Sequence, residues 1–424
     1  MLSTLRNAWK IPDLRRKILF TLLMLAIFRL GSNIPVPFMD KEFIKQLFEG
    51  SGGGVLELFN LMSGGAFGRM TIFALNIYPY ITASIVIQLL TIVIPQLEAL
   101  AKEGEAGRKK IAQYTRYLTV IFALIQAIGI SVGLFQGAVI GDGILPISVV
   151  VITITAGTAF LMWLGEQITE NGIGNGISLI IFTGIISRIP GGIYNAFNLW
   201  LKAKTVSIIE LILFAIVAVI VIAGVVAIQE GQRRIPVQYA KRVVGRKMYG
   251  GQSTHIPLKV LMAGVIPVIF ASSLLAFPQT LAFFFEGWAA GISKWFSPQG
   301  NPGVWIYSTL NVLLIVFFTY FYTAIQFNPV EYANNLKQNG GFIPGIRPGR
   351  PTSEYLNRVI SRITLVGAMV LALIATLPTI LSSFGNLNIG FGGTALLIVV
   401  GVALETVKQI ESQMMMRHYK GFLK

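Results

Sequence analysis

The chain is 424 residues long, 54% hydrophobic and only 12% charged, with a mean hydropathy of +0.70 and a formal net charge of +16. Soluble proteins carry about 25% charged residues, so this composition describes a polytopic membrane protein and excludes a globular enzyme of two or three domains. With no Cys anywhere, disulfides, Cys-ligated metals and thiol catalysis are excluded as well.

The first residues, MLSTLRNAWKIPDLRRKILF, contain no short apolar core followed by a small-residue cleavage site, and read as a retained cytoplasmic end. A membrane-crossing helix needs about 20 mostly apolar residues. Ten stretches meet that need: 18–36, 71–93, 115–136, 146–166, 173–190, 208–229, 259–280, 305–326, 358–381 and 391–411. Pro35, Pro37 and Pro95 fall at ends where a helix stops anyway. Pro79, Pro267 and Pro378 fall inside spans, where membrane bundles tolerate them.

Loops numbered alternately, with the N-terminus inside, put 26 Lys and Arg in the inner segments and seven in the outer ones, with Arg29 inside the first span. Such a split is a strong positive-inside signal and places both ends in the cytoplasm. The expected organisation is an N-terminal half, 1–190, an external linker, 191–207, a C-terminal half, 208–412, and a cytoplasmic tail, 413–424.

Three segments do not fit a plain bundle. Residues 55–67, VLELFNLMSGGAF, have helix-like apolar spacing but are too short to span, and glycines flank them. They read either as a re-entrant connector or as a movable stopper on the outer side. Residues 230–258 and 327–357 are long inner loops. The first, extended to Lys259, carries seven Lys and Arg together with Tyr239, Met248 and Tyr249. Basic loops of this length mark topology and anionic-lipid contact, or dock an acidic partner such as an RNA backbone or an acidic protein surface.

The pattern P-x-I-x-A-S occurs twice, as PYITAS at 79–84 and PVIFAS at 267–272. The copies lie 188 residues and five spans apart, so they run through the membrane in opposite directions. Inverted halves meeting near the midplane build pathways for polar cargo. Yet the chemistry of a coupled carrier is missing. No Asp is embedded in a span, Glu166, Glu230 and Glu405 sit near inner ends, and His255 and His418 lie in polar segments. No nucleotide motif and no H-E-x-x-H occurs. NGIGNGIS, 171–178, reads as a tight turn opening the fifth span in preference to a phosphate cradle. What remains is aliphatic: Ile77 and Ile81 share one helical face, Ile177 and Ile181 another, and Ile269 is the repeat counterpart of Ile81. Branched side chains of this kind either face lipid and core or form a collar that excludes water and ions by dewetting.

The stretches PYITASIVIQLL (79–90), EGEAGRKKIAQYTRY (103–117), WLGEQITENGIGNGISLIIF (163–182), RRIPVQYAKR (233–242), AGVIPVIFASS (263–273), GFIPGIRPG (341–349) and FGGTALLIVV (391–400) together resemble the SecY family, the central subunit of the bacterial Sec protein-conducting channel. The resemblance implies an all-α polytopic membrane protein with ten transmembrane helices, in two inverted five-helix halves that form a clamshell around an hourglass pore. It implies a pore ring of Ile77, Ile81, Ile177, Ile181, Ile269 and Ile398, and a plug containing Leu58, Phe59, Leu61, Met62, Ser63, Gly64 and Gly65. A lateral gate between the second and seventh spans, where signal sequences intercalate, would involve Ser84, Gln88, Leu261, Ser272, Ser273 and Phe277. Tyr239, Lys241, Arg242, Arg246, Lys247, Arg347 and Arg350 would dock the SecA motor or a translating ribosome through its rRNA.

The implied partners are also SecE, SecG, signal peptides, nascent polypeptide and anionic lipids, with no cofactor and no enzymatic activity, in the bacterial cytoplasmic membrane. The family usually has Asn where this chain has Leu261, beside the Gln at position 88. Leu there removes a hydrogen-bonding partner and is expected to hold the gate shut more firmly. Two other readings stand beside the channel: an inverted-repeat secondary transporter of small solutes, and a scaffold that only assembles other subunits.

Overall fold

The computed structural model of the chain describes residues 2–50, 60, 63–141, 143–198, 200–201, 207–239, 242–244, 247–249, 253–282, 295, 303–384 and 393–421. Helices dominate. In chain order they are α1 (Leu2–Trp9), α2 (Pro12–Gly31), α3 (Lys41–Gly50), α4 (Tyr78–Val93), α5 (Pro95–Lys102), α6 (Glu105–Ile128), α7 (Ile144–Asn171), α8 (Gly176–Ile186), α9 (Ile189–Asn198), α10 (Ile208–Glu230), α11 (Ile266–Ala282), α12 (Gly303–Gln326), α13 (Pro329–Gln338), α14 (Arg350–Phe384) and α15 (Gly393–Gly421). A helix covers each of the ten stretches expected to span, because lipid offers backbone groups no partner and leaves the helix as the stable choice. Among the described residues, five helical stretches are long and apolar enough to cross a bilayer, and α4 with α5 makes a sixth with a 100° bend. The bend follows from Pro95, which pushes Ile94 to φ −100°, ψ 112° and stops α4 there.

Two prolines expected inside spans sit elsewhere. Pro79 and Pro267 are each the second residue of a helix, α4 and α11, where a missing N–H costs nothing. The seventh span therefore becomes helical at Ile266 instead of 259. Both copies of the repeat thus occupy the same place, the first turn of a helix. In both, the Ile and the Ala of the pattern are buried: Ile81 and Ala83 in α4, Ile269 and Ala271 in α11.

The two halves meet where α4 packs against α11, α8 against α15 and α1 against α15. One apolar core runs through both. The ends of the molecule also sort themselves. Ala8 of α1, Leu14 at the start of α2, Ile173 and Ile410 of α15 form one small cluster. Thr21 Oγ1 accepts the Ile173 N–H at 3.0 Å nearby. At the far end of α2, residues beyond Ser32 join the loops at 71 and 139 through the bridges Pro35↔Thr71 and Met39↔Val139. The first and last helices therefore share one face of the bundle.

The two long loops expected to lie inside hold β-structure that the sequence reading did not anticipate. Strands β1 (Gln232–Tyr239), β2 (Arg242–Val244), β3 (Lys247–Tyr249), β4 (Ser253–Lys259) and β5 (Gly341–Phe342) form a three-stranded sheet of order β4-β1-β5 and a separate β2-β3 hairpin. The sheet pairs Ile235 with Ile256 and Tyr239 with Gly341, so it joins the two loops. Ile235, Val237, Leu258, Phe327, Leu336, Ile343 and Leu356 give this unit its own apolar core. Part of the expected external linker is the helix α9, and the expected tail continues α15 as far as Gly421.

Candidate functional site

The six isoleucines expected to ring a pore all belong to, or pack against, one apolar core. Ile77, Ile81, Ile181, Ile269 and Ile398 are all members of the continuous core, and Ile177 packs against it half-buried. They come from the first two turns of α4, α8, α11 and α15, or the cap just before, and these four helices pack across the boundary between the halves as α4 against α11 and α8 against α15. Ile77 caps α4 and its carbonyl accepts the Ile81 N–H at 3.0 Å, which stacks the two side chains on one face. Ile177 and Ile181 owe their position to a tight junction with α7. Asn175 Oδ1 accepts the Ser178 N–H at 3.2 Å and caps α8, and a Cβ on Gly176 would lie 1.9 Å from the Gly165 carbonyl oxygen, so only glycine allows this approach. The Gly-rich NGIGNGIS segment is thus a helix-opening turn.

No Asp, Glu, Lys, Arg or His side chain is buried among the described residues. No group of His, Asp and Glu suited to a metal occurs among them either.

Beside the isoleucines, α4 and α11 face each other along the expected gate. Gln88 Nε2 donates to Ser84 Oγ at 3.2 Å, one turn earlier in α4. Ser272 and Ser273 are buried in α11, and Ser273 Oγ has no hydrogen-bond partner among the described residues. Leu261 is buried in the turn before α11, where its Cδ2 lies 3.0 Å from the position a Cβ would take on Gly367 of α14. Of Phe277 only the backbone is described. The partner of Gln88 across the seam is Tyr322 of α12, whose hydroxyl donates to Gln88 Oε1. The sequence reading missed Tyr322. Its signal was the i, i+4 spacing of Phe318 and Tyr322 inside the aromatic run 317–322.

Of the residues expected to form a plug, Leu58, Phe59, Leu61 and Met62 lie outside the described residues. Ser63, Gly64 and Gly65 form the turn that follows. Ser63 Oγ donates to the Asn60 carbonyl at 3.1 Å and accepts the Phe67 N–H at 3.1 Å. Gly64, at φ +66°, presses on α8: a Cβ there would lie 2.8 Å from the Gly184 carbonyl oxygen, one turn beyond Ile181. Arg69 holds the same turn, its Nε donating to the Gly65 carbonyl at 3.0 Å and its Nη1 to Asn33 Oδ1 at 2.7 Å.

Of the residues expected to dock a partner, one lies on the three-stranded sheet, two on the β2-β3 hairpin and two at or after the loop that follows β5. Tyr239 ends β1, half-buried over Gly341. Arg347 and Arg350 are exposed, and Arg350 pairs with Glu354 at 3.0 Å. Arg242 and Lys247 belong to β2 and β3 with only their backbones described, and Lys241 and Arg246 lie outside the described residues.

Known proteins resemble this chain over its whole length. It is 50% identical to the protein translocase subunit SecY of Streptomyces coelicolor and 49% identical to that of Halalkalibacterium halodurans, in each case over 100% of both chains. The fold matches a solved protein-conducting channel with a TM-score of 0.67 at 22% identity, covering 94% of this chain and 92% of that one. It also matches Sec61 in the canine ribosome-channel complex, with a TM-score of 0.63 at 19% identity, covering 94% and 92%. These likenesses confirm the all-α polytopic fold. With the SecY family model also matching residues 71–407, the chain belongs to the SecY family.

Proposed function

We propose that the chain is a passive protein-conducting channel that moves secretory polypeptides across a membrane and releases apolar segments sideways into lipid. The observation that carries this reading is that Ile77, Ile81, Ile181, Ile269 and Ile398 are buried in, and Ile177 packs against, one apolar core that runs through both halves. A collar of branched side chains excludes water and ions, holds no ligand and deforms around a passing chain. Relatives at about half identity named as protein translocase subunits favour this reading. Neither those names nor the described core, which buries no ionisable coupling group, favours a solute transporter.

In the same reading the N-terminal half, 1–190, and the C-terminal half, 208–412, are inverted counterparts, with residues 55–67 as the plug and α4 and α11 as the lateral gate. Both ends face the cytoplasm, with the chain in a bacterial cytoplasmic membrane, a reading that the 26-to-seven split of Lys and Arg supports. The inner sheet, Arg347 and Arg350 present a basic surface for the SecA motor or a ribosome. SecE and SecG complete the channel, and anionic lipids contact its basic inner face. Energy comes from the partner, since the sequence holds no nucleotide motif.

The test is preprotein transport into vesicles carrying the chain with SecE, SecG, SecA and ATP. Transport is expected with the native chain and lost with Arg347→Glu, at unchanged chain abundance. Solute uptake by the chain alone, with no preprotein transport, overturns the channel. Unchanged transport with Arg347→Glu removes the docking role of that residue.

A further inference from the structure

We propose that Tyr322 is the polar catch of the gate: its hydroxyl, bonded to Gln88 across the seam between the halves, holds α4 and α12 together in the closed state and sets how readily a signal sequence parts them. The inference rests on reading α4 and α11 as the gate, and names a residue on a third helix as the one that fastens it.

Three observations carry it. First, the bond joins residue 88 of the N-terminal half to residue 322 of the C-terminal half, so it must break when the halves part there. Second, both partners are held in place. Gln88 Nε2 donates to Ser84 Oγ at 3.2 Å, which turns the amide oxygen outward as an acceptor. Tyr322 is buried and packs edge-on against Phe270 of α11 with ring centroids 5.2 Å apart; Phe270 in turn packs edge-on against Phe318, one turn from Tyr322 on α12, at 5.7 Å. The hydroxyl therefore reaches over α11 to α4 from a stiff aromatic platform. Third, Leu261 carries no polar atom to offer Gln88, and it packs toward Gly367 of its own half.

The size of the effect follows from the environment. Side-chain hydrogen bonds between membrane helices contribute about 0.6 kcal/mol on average and about 1.7 at most, a shift of roughly three-fold to fifteen-fold in the closed-to-open ratio. An effect in this range suits a catch that a signal sequence must release, since each opening has to undo it.

The experiment uses vesicles carrying the complete channel and a preprotein whose signal sequence is weakened, so that gate opening limits the rate. Tyr322→Phe keeps the ring packing on Phe270 and Phe318 and removes only the hydroxyl. It is expected to raise transport of the weakened preprotein about three-fold to fifteen-fold, with much less effect on the intact one. Gln88→Ala, which removes the acceptor without adding the apolar contact of a Leu, is expected to raise it similarly, and adding Tyr322→Phe to Gln88→Ala to change little further. Equal rates in Tyr322→Phe and the native chain, or effects that multiply in the double variant, overturn the catch.

A photo-crosslinker at Ser84 separates this from the gate reading. Capture of the signal sequence there, with Tyr322→Phe inert, leaves the gate standing and removes the catch. No capture at Ser84, nor from a crosslinker at Ser272, overturns both.

Discussion

Replacing Ile81 and Ile269 together by Ala tests the collar. Both side chains are 5% exposed, they come from opposite halves, and they occupy equivalent places in the two copies of the repeat. A dry throat stays dry because wetting it would expose apolar surface. Each Ile→Ala change removes three carbon groups, or about 2.4 kcal/mol at about 0.8 kcal/mol per group. Two changes remove about 5 kcal/mol of the cost of wetting, an upper limit because neighbouring side chains relax into the space. Since about 1.4 kcal/mol is tenfold, ion flux through the resting channel should rise at least about tenfold.

The assay is dye-reported ion leak from vesicles carrying the purified channel. Ile92→Ala is the control, on the same helix α4 but 54% exposed on the outside of the bundle. Leak that stays at the native level in the double variant, or that rises equally with Ile92→Ala, refutes the collar.

Two further predictions follow from the same geometry. Gly64→Ala forces a side chain to φ +66° and drives its Cβ to within 2.8 Å of the Gly184 carbonyl oxygen. It should lift the turn off α8, raise resting ion leak and cost about 1–2 kcal/mol of stability from the backbone alone; native leak and native melting would show that this contact seals nothing. Leu261→Asn should ease opening, but less than Tyr322→Phe, because Leu261 packs toward Gly367 within its own half. Identical transport of a weakened preprotein by native chain and Leu261→Asn would make that position neutral.

The helices were legible in the sequence because lipid leaves a long apolar run one stable conformation, and the inner basic residues supplied the order of the loops. Helix starts were less legible. Pro79 and Pro267 looked like tolerated defects within spans, whereas each sits in the first turn of its helix, a distinction hydropathy cannot make. The inner sheet escaped notice because charge dominated the composition of residues 230–258, while the strand signal was one short alternation, Ile235 and Val237 facing the core between Arg234 and Gln238.

At the site, spacing and the repeat singled out Ile77, Ile81, Ile177, Ile181 and Ile269, since both report which residues share a face, while Ile398 came from the family resemblance alone. Tyr322 was not legible. Its role depends on which helix lies opposite Gln88, a fact of tertiary packing that separations of 234 residues do not announce.

The most direct test of a protein-conducting pore is where a translocating chain touches it. A preprotein is stalled midway, and photo-crosslinkers are placed one at a time at Ile81, Ile269, Ile92 and Leu274. The first two are buried in the core between the halves, and the last two are exposed on the outer surfaces of α4 and α11. Passage through the bundle predicts capture of the stalled chain from Ile81 and Ile269 and not from Ile92 or Leu274. Capture only from the exposed pair would contradict it.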